Sequence, residues 1–150
     1  MISIRDATAA DAERVHALHV ASSTAVYRRF FGGKGLEQWL ATRSPEVCAA
    51  EIAKWAVIVA EEDKLMVGFA ALDAAKANID AVYVAPERWR QGIGRALLIR
   101  LEDIARAAGL SCVTLQAAGP AITFYQSQGY TAVKDPGPNP SWAEMEKRLA

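Results

Sequence analysis

A cluster of arginines and glycines near the middle of the chain contains the residue types that bind phosphate. Arg90 and Arg95 carry formal positive charge, while Gly92 and Gly94 have no side chain to keep a ligand away from the backbone N–H groups. An apolar helical series begins at Ile93, and the first N–H groups of a helix are unpaired and partially positive. The segment therefore predicts a phosphate cradle, formed by Arg90, Gln91, Gly92, Ile93, Gly94 and Arg95.

The residues on either side of this cradle predict a strand, a loop and a helix. Asn78–Val84 is short, contains several β-branched residues and lacks a helical repeat, so it is predicted as a strand. Pro86 ends the strand because proline has no N–H group and fixes φ. Gly109 occupies the position of a C-terminal helix cap. Between them, apolar residues recur at the spacing of one buried helix face, at Ile93, Leu97, Leu101, Ile104 and Ala108.

Two common nucleotide-binding motifs are incomplete in this segment. A P-loop needs a lysine and a hydroxyl residue after its last glycine, and nothing after Gly92 supplies that pair. The dinucleotide fingerprint needs a third glycine, and Leu97 stands in its place. These absences count against a nucleotide-binding module. Helices also begin with glycine for close packing alone, so the glycines by themselves do not define a ligand.

The wider segment resembles motif A of the GNAT superfamily, the GCN5-related N-acetyltransferases. It reads V-Y-V-x-P-x-x-W-R-Q-G-I-G-R-A-L-L, and the family pattern Q/R-x-x-G-x-G/A falls on residues 89–94. Trp89 departs from the usual Gln or Arg, at a position that in the family contributes largely through its backbone amide. A second segment, Pro120–Tyr130, resembles motif B, often A-x-x-F-Y-x-x-x-G-F. Both motifs occur in the family's order and spacing, and the resemblance covers about residues 2–149.

The resemblance implies an α+β fold in a single GNAT-like acetyltransferase domain over residues 1–150. Its centre is expected to be a mixed, mostly antiparallel sheet of about seven strands, flanked by about four helices. The strand Asn78–Val84, the helix after it and a strand at Ser111–Gln116 are predicted to form a β-α-β unit, which is expected to be right-handed with parallel strands. By resemblance, these two parallel strands splay apart to admit a cofactor.

The resemblance also implies that acetyl-CoA is the co-substrate and that no metal takes part. The pyrophosphate of acetyl-CoA would meet the amides of the phosphate cradle. Its pantetheine would pair like an extra strand with Val82, Tyr83 and Val84, where a backbone N–H would hold the thioester carbonyl. The acceptor amine would attack directly, so Cys48 and Cys112 are not needed as nucleophiles.

The implied reaction needs two proton transfers. In many family members the motif B tyrosine protonates the leaving thiolate, and Tyr125 holds that position. Alternatively, Tyr125 only packs its ring and bonds the CoA sulfur.

Many members carry a glutamate early on the central strand, where this chain has Asn78. Asp80 is predicted to share the face of Asn78 because side-chain direction repeats every two residues. Three roles are open to Asp80. It acts as the base, directly or through water; it orients the acceptor ammonium; or it is only a structural hydrogen-bond partner. The asparagine that some members use to bind pantetheine corresponds to Ala118, so that contact is expected to be lost.

The remaining segments are predicted to complete the sheet and its helices. Thr8 and Ser44 are predicted N-caps of two helices, and Pro45 suits the first position of the second one, which continues to Lys54. The other predicted elements are a first strand at Ile2–Arg5, a hairpin of Trp55–Glu61 and Leu65–Leu72, a short helix at Pro120–Gln128, and a last pair of strands at Tyr130–Val133 and Ser141–Leu149.

Residues 22–39 are predicted to be irregular because three glycines, Gly32, Gly33 and Gly35, lie close together. The aromatic residues of this segment either belong to a substrate-side loop, mobile at the glycines, or fill the edge of the core. Acceptor specificity varies in this region of the superfamily, which favours the first interpretation. His16 and His19 are candidates for acid–base catalysis because histidine, as a residue type, titrates near neutrality. Histidines on a helix without partners are more often surface or packing residues than catalytic ones, and His19 is predicted to lie on the buried face.

Composition limits the other function classes. Lys+Arg and Asp+Glu cancel at 17 each, so bulk charge favours neither nucleic acid nor an anionic membrane as a partner. The apolar runs are far shorter than a membrane span, and the N-terminus lacks a signal-peptide core. Cys48 and Cys112 are predicted to be small buried residues of a protein in a reducing compartment. A cytoplasmic location is therefore expected. Many relatives dimerise, which makes a homodimer one option.

These features together predict an acetyl-CoA-dependent N-acetyltransferase. It would move an acetyl group to a primary amine of a small molecule or peptide, by direct attack in a ternary complex. The alternative is a non-catalytic acyl-CoA-binding or regulatory domain on the same fold. Asn78 in place of the family's glutamate supports that alternative, and the presence of Tyr125 argues against it. The neutral net charge does not indicate which class of amine is the acceptor.

Overall fold

The computed structural model describes residues 1–149, which form one seven-stranded sheet with helices on both faces. The strands are β1 (Ser3–Asp6), β2 (Ala56–Glu62), β3 (Leu65–Asp73), β4 (Asn78–Val84), β5 (Cys112–Ala118), β6 (Thr131–Ala132) and β7 (Trp142–Arg148). The α-helices are α1 (Ala12–Phe30), α2 (Leu36–Leu40), α3 (Pro45–Lys54), α4 (Ile93–Ala107) and α5 (Ile122–Ser127). The sheet order is β1-β2-β3-β4-β5-β7-β6, and only β4 and β5 run parallel. The predicted mixed, mostly antiparallel sheet is confirmed.

The hydrophobic core lies on both faces of this sheet. β2 and β3 are apolar at nearly every position because helices cover both of their faces. On one side α4 packs through Leu97 and Leu101, which are fully buried. On the other side α1 and α3 pack through Leu18 and Cys48. We call these two sides the α4 face and the α1 face.

Local signals account for most element boundaries. α4 ends in a Schellman motif, in which Leu110 donates its N–H to the Ala105 carbonyl at 3.0 Å and Gly109 takes a φ of 82°. Ser44 caps α3 by accepting the Val47 N–H at 3.1 Å. The predicted hairpin forms between β2 and β3, and the predicted last strand pair forms between β6 and β7.

The prediction that residues 22–39 are irregular is wrong for most of that segment. α1 continues without a break to Phe30, and α2 follows after a short turn. The three glycines lie in that turn, with φ of 60°, 79° and 90°. Ser22 is buried in the continuing helix, and its hydroxyl donates to the Val84 carbonyl at 3.0 Å. This long-range contact with β4 compensates for the low helix propensity of serine.

The parallel strands β4 and β5 are joined at one end only. Two residue pairs face each other, Asn78 with Thr114 and Ile79 with Leu115. Each strand is seven residues long, so most of the two facing edges has no ladder partner. The implied splaying of the parallel pair is thus present. Backbone N–H and C=O groups in the middle of a sheet are normally paired, so this opening is the natural position for a ligand.

A bulge in β4 lies beside the opening. Ala71 faces Ala81 while Leu72 faces Ile79, so Asp80 is an extra residue in β4. Ile79 therefore packs on the α4 face, whereas Ala81 packs on the α1 face, although they are two residues apart. The prediction for Asp80 assumed an unbroken two-residue repeat, and that assumption is wrong because the bulge interrupts the repeat.

Gly68 in β3 lets α4 approach the sheet closely. A Cβ atom at this position would lie 2.9 Å from Leu97 Cδ1 and 3.1 Å from the Tyr83 carbonyl oxygen. We expect Gly68→Ala to lower the free energy of unfolding by about 1–3 kcal/mol, measured by urea denaturation, because backbone and packed side chains must shift.

Gly94→Ala in α4 is the matched control for this prediction. Its added Cβ would meet neighbours at 3.7 Å, an ordinary contact distance, so the free energy of unfolding should not fall. Wild-type stability of Gly68→Ala would show that helix and sheet do not need this close approach.

Candidate active site

A cavity of about 600 Å³ opens where β4 and β5 separate. Val82 and Val84 line it and also pack against the core on the α4 face. Ala81 and Tyr83 line it as well, and they pack on the α1 face. The cavity therefore passes through the split sheet and connects its two faces.

The predicted phosphate cradle forms one end of this cavity. Gly92 is the N-cap of α4, with a φ of 84°, and no side chain caps the helix. The first helical bond runs from the Ala96 N–H to the Gly92 carbonyl at 3.1 Å, which leaves the N–H groups of Ile93, Gly94 and Arg95 without a helical partner. Since these groups meet the cavity at the positive end of a 15-residue helix, they can bind an anion.

The arginines around the cradle differ in their pairing. Arg90 and Arg95 line the cavity, and within residues 1–149 neither forms an ion pair. Arg88 is paired with Glu62 at 2.8 Å, and its Nε donates to the Gln91 side chain at 2.8 Å. Gln91 does not line the cavity, so of the six predicted cradle residues it is the one that lies outside the lining.

Trp89 connects the cradle loop to the end of β4. Its Nε1 donates to the Val84 carbonyl at 2.9 Å, the same oxygen that accepts the Ser22 hydroxyl. The guanidinium of Arg29 lies 5.0 Å from the centre of the Trp89 ring. In the sequence Trp89 was only a departure from a motif. Its side chain anchors the loop to the strand and to α1.

Tyr125 lies in α5 and lines the cavity. Its ring packs edge-on against Phe124 and Tyr130, at centroid distances of 5.1 and 5.6 Å. Within residues 1–149 its hydroxyl has no hydrogen-bond partner. Burial, with a smaller effect of Tyr83, raises the pKa of the Tyr125 phenol above its ordinary value. The hydroxyl is therefore protonated at neutral pH and can donate into the cavity.

Asp80 lines the cavity on the side of α3. Although part of its surface is open, loss of hydration among the surrounding protein raises the pKa of its carboxyl, and the nearby charge of Glu51 raises it further. Arg43 acts in the opposite direction, but its guanidinium is bound to Glu51 at 2.7 Å. Among the described residues no hydrogen bond reaches the Asp80 carboxylate. A raised pKa makes this carboxylate a better proton acceptor than an ordinary aspartate.

Three other residues considered in the sequence lie outside the cavity lining. His19 is buried against the rings of Trp39 and Tyr83, at centroid distances of 4.8 and 4.4 Å, and burial lowers its pKa to about 3. It is a neutral packing residue, as predicted. Asn78 accepts a hydrogen bond from the Thr114 hydroxyl at 3.4 Å, at the closed end of the split. Burial raises the pKa of the Cys48 thiol, so this cysteine stays protonated and is a poor nucleophile.

Sequence reasoning missed Gln116 and Trp142, both of which line the cavity. The available signal was strand alternation. In β7, Ala143 and Met145 are buried while Trp142 is half exposed, so the tryptophan lies on the other face of the strand. Nothing in the local sequence indicates that this face borders the split.

Residues 1–149 contain neither a membrane-spanning helix nor a cluster of metal ligands. No helix in this range has the length and apolarity that crossing a membrane requires. Across the same residues, no group of three or more His, Cys, Asp or Glu side chains is arranged to hold a metal ion.

Comparison with known proteins gives consistent matches. The family model described as an acetyltransferase (GNAT) domain matches residues 53–132. The peptidyl-lysine N-acetyltransferase YiaC of Escherichia coli (strain K12) is 35% identical over 86 residues, which is 55% of this chain and 57% of YiaC. The IAA acetyltransferase of Azospirillum brasilense is 35% identical over 103 residues, 61% of this chain and 67% of that protein. The chain thus spans less than two thirds of YiaC.

A solved structure shares the fold over nearly the full length. The PaiA N-acetyltransferase from Thermoplasma acidophilum, in complex with coenzyme A, superposes with a TM-score of 0.87. The alignment covers 99% of both chains at 23% identity.

Proposed function

Because the chain belongs to the GNAT acetyltransferase family, we propose that it transfers an acetyl group from acetyl-CoA to a primary amine of a small molecule or peptide. The amine attacks directly, with both substrates bound, and residues 1–149 act as one domain. The observation that carries this proposal is the split between β4 and β5. It joins an uncapped helix N-terminus to a cavity that Tyr125 and Asp80 also line.

The residues of the cavity fit acetyl-CoA. The free N–H groups at the start of α4 and the charges of Arg90 and Arg95 suit a pyrophosphate. The edge of β4 at Val82, Tyr83 and Val84 has no partner on the β5 side, so it would hold the amides of pantetheine as a neighbouring strand would. When bound, acetyl-CoA supplies a thioester carbonyl that is activated toward an amine.

The chain's own groups would then handle charge and protons. A backbone N–H of β4 beside the bulge would stabilise the negative charge that develops on the carbonyl oxygen. As the new C–N bond forms and the C–S bond breaks, Tyr125 gives its hydroxyl proton to the leaving sulfur. Asp80 takes a proton from the attacking amine, directly or through water. The unpartnered Tyr125 hydroxyl and the raised pKa of Asp80 support these roles.

The function is tested by calorimetric titration with acetyl-CoA together with thiol release on a panel of primary amines. We expect binding, and thiol release that depends on the amine. Binding without release on any amine would favour the non-catalytic acyl-CoA-binding alternative, and absence of binding would contradict the cradle.

In this titration Gly92→Val should weaken acetyl-CoA binding about tenfold or more. A β-branched residue is strained at a φ of 84°, so the backbone that presents the free N–H groups would have to shift. Gly137→Val is the matched control, because Gly137 has a φ of 77° and lies outside the cavity lining. If the two variants bind acetyl-CoA with equal affinity, Gly92 is not part of the binding site.

Tyr125→Phe tests the proton donor. The variant keeps the ring that packs on Phe124 and Tyr130 and removes only the hydroxyl. We expect kcat to fall about a hundredfold, with little change in the dissociation constant of acetyl-CoA, because the proton is needed mainly in the transition state. A variant with wild-type kcat would leave Tyr125 with a packing role only.

Asp80→Asn tests the base. Asp80 must be ionised to act as a base, so kcat/KM is expected to rise with pH through the pKa of Asp80, which gives the pH profile an acidic limb. Because the pKa of Asp80 is raised, this limb should lie at a higher pH than an ordinary aspartate would give. We expect the acidic limb to be absent from the pH profile of the variant, and kcat to fall about a hundredfold.

Asp103→Asn is the control, since Asp103 lies on the exposed side of α4 and pairs with Arg106. If the Asp80 variant keeps the acidic limb and shows only a raised KM for the amine, Asp80 orients the acceptor and is not the base.

A further inference from the structure

The half of the cavity on the α1 face is built from different elements than the cradle half. In β5, Leu115 and Ala117 belong to the core on the α4 face, so Gln116 between them faces α1. By the same alternation Trp142 of β7, which pairs with Ala118, faces α1. The C-terminal half of α1 and Trp39 of α2 cover this half. A ligand that enters here reaches the split from the side opposite the cradle.

Aromatic side chains form most of this half. We call the set of Tyr27, Phe31, Trp39 and Trp142 the aromatic wall; all four line the cavity. The rings of Phe31 and Trp142 are 20° from parallel with centroids 6.3 Å apart, and Tyr27 lies 5.8 Å from Phe31. Trp142 is 50% exposed, so a large apolar ring faces the cavity and not the core. Exposed aromatic surface of this kind is suited to a flat apolar ligand.

The charges of the lining are divided between the two halves. The lining arginines, Arg88, Arg90 and Arg95, all belong to the cradle end. Among the described residues, Asp80 is the one acidic residue in the lining, and no lysine, arginine or histidine lines the half on the α1 face. A carboxylate on the acceptor would lose hydration here without gaining a cation, and a polyamine would bring more ammonium groups than the lining has carboxylates.

We propose that the acceptor is a monoamine attached to an aromatic body and lacking a carboxylate, of the arylalkylamine class. The inference rests on the proposed function and specifies the acceptor of that same site. The aromatic wall holds the ring of the acceptor, and the carboxylate of Asp80 attracts its single ammonium group. A peptide lysine carries its amine on a flexible aliphatic stem, which gains less from flat aromatic surfaces, so it is the less favoured acceptor.

The test compares amines that differ in one feature each. 2-Phenylethylamine is measured against n-butylamine, which lacks the ring, phenylalanine, which adds a carboxylate, spermidine, which adds ammonium groups, and a short lysine-containing peptide with a blocked N-terminus. Thiol release gives kcat/KM for each, and calorimetry gives the affinity of each for the CoA-loaded protein. We expect 2-phenylethylamine to exceed every other amine about tenfold or more in both measurements.

The two measurements separate failure of this inference from failure of the proposed function. Equal values for 2-phenylethylamine and n-butylamine, or preference for spermidine, phenylalanine or the peptide, would overturn the aromatic acceptor while leaving the transferase in place. Selective binding of 2-phenylethylamine without thiol release would support the aromatic site and overturn the transferase.

Variants of Trp142 test the aromatic wall itself. Because Trp142 is half exposed, its replacement should leave the fold intact, which circular dichroism checks. We expect Trp142→Ala to raise the KM for 2-phenylethylamine about tenfold and the KM for n-butylamine much less, because n-butylamine has no ring that could stack on the indole. Trp142→Phe should keep most of the selectivity. Leu65→Ala, an exposed apolar truncation outside the cavity, is the control. An equal effect of Trp142→Ala on all amines would contradict the proposal.

Discussion

The short pairing between β4 and β5 is the constraint on which the rest of the site depends. Parallel strands need a crossover connection, so the helix that follows β4 must cross one face of the sheet before β5 begins. Because the strands separate after Ile79 and Leu115, α4 begins beside the opening with its free N–H groups pointing at it. The same separation brings the end of β5, and Tyr125 of α5, to the cavity.

The split sheet also keeps two kinds of chemistry apart. On the α4 face the cavity has positive charge and free backbone N–H groups, which suit an anionic ligand. On the α1 face it has aromatic rings and one carboxylate, Asp80, whose pKa is raised by loss of hydration. Ligands approaching from opposite faces can meet only at the split, where Tyr125 and the bulge of β4 lie.

Polar contacts between distant segments hold these parts in position. The Val84 carbonyl accepts hydrogen bonds from Ser22 and Trp89, which fixes the end of β4 to α1 and to the cradle loop. On the α4 face the Tyr130 hydroxyl donates to the buried Glu102 at 2.7 Å, and Lys147 pairs with the same carboxylate at 3.1 Å. This triad connects α4 to β7 and supports the ring on which Tyr125 packs. Loss of Lys147 would leave the buried Glu102 carboxylate without a counter-charge.

The sequence by itself determined the order of the elements, the position of the cradle and the family, because each depends on local signals. Helical periodicity, Pro86, Gly92 and Gly109 act within a few residues of their positions. Only the tertiary structure decided the length of α1, the bulge at Asp80 and the aromatic wall. α1 continues because Ser22 bonds to β4, 62 residues away. Trp142 borders the cavity because β7 pairs with β5 and not with β4. Such long-range pairing leaves no mark in the neighbouring residues, so periodicity and propensity could not have revealed it.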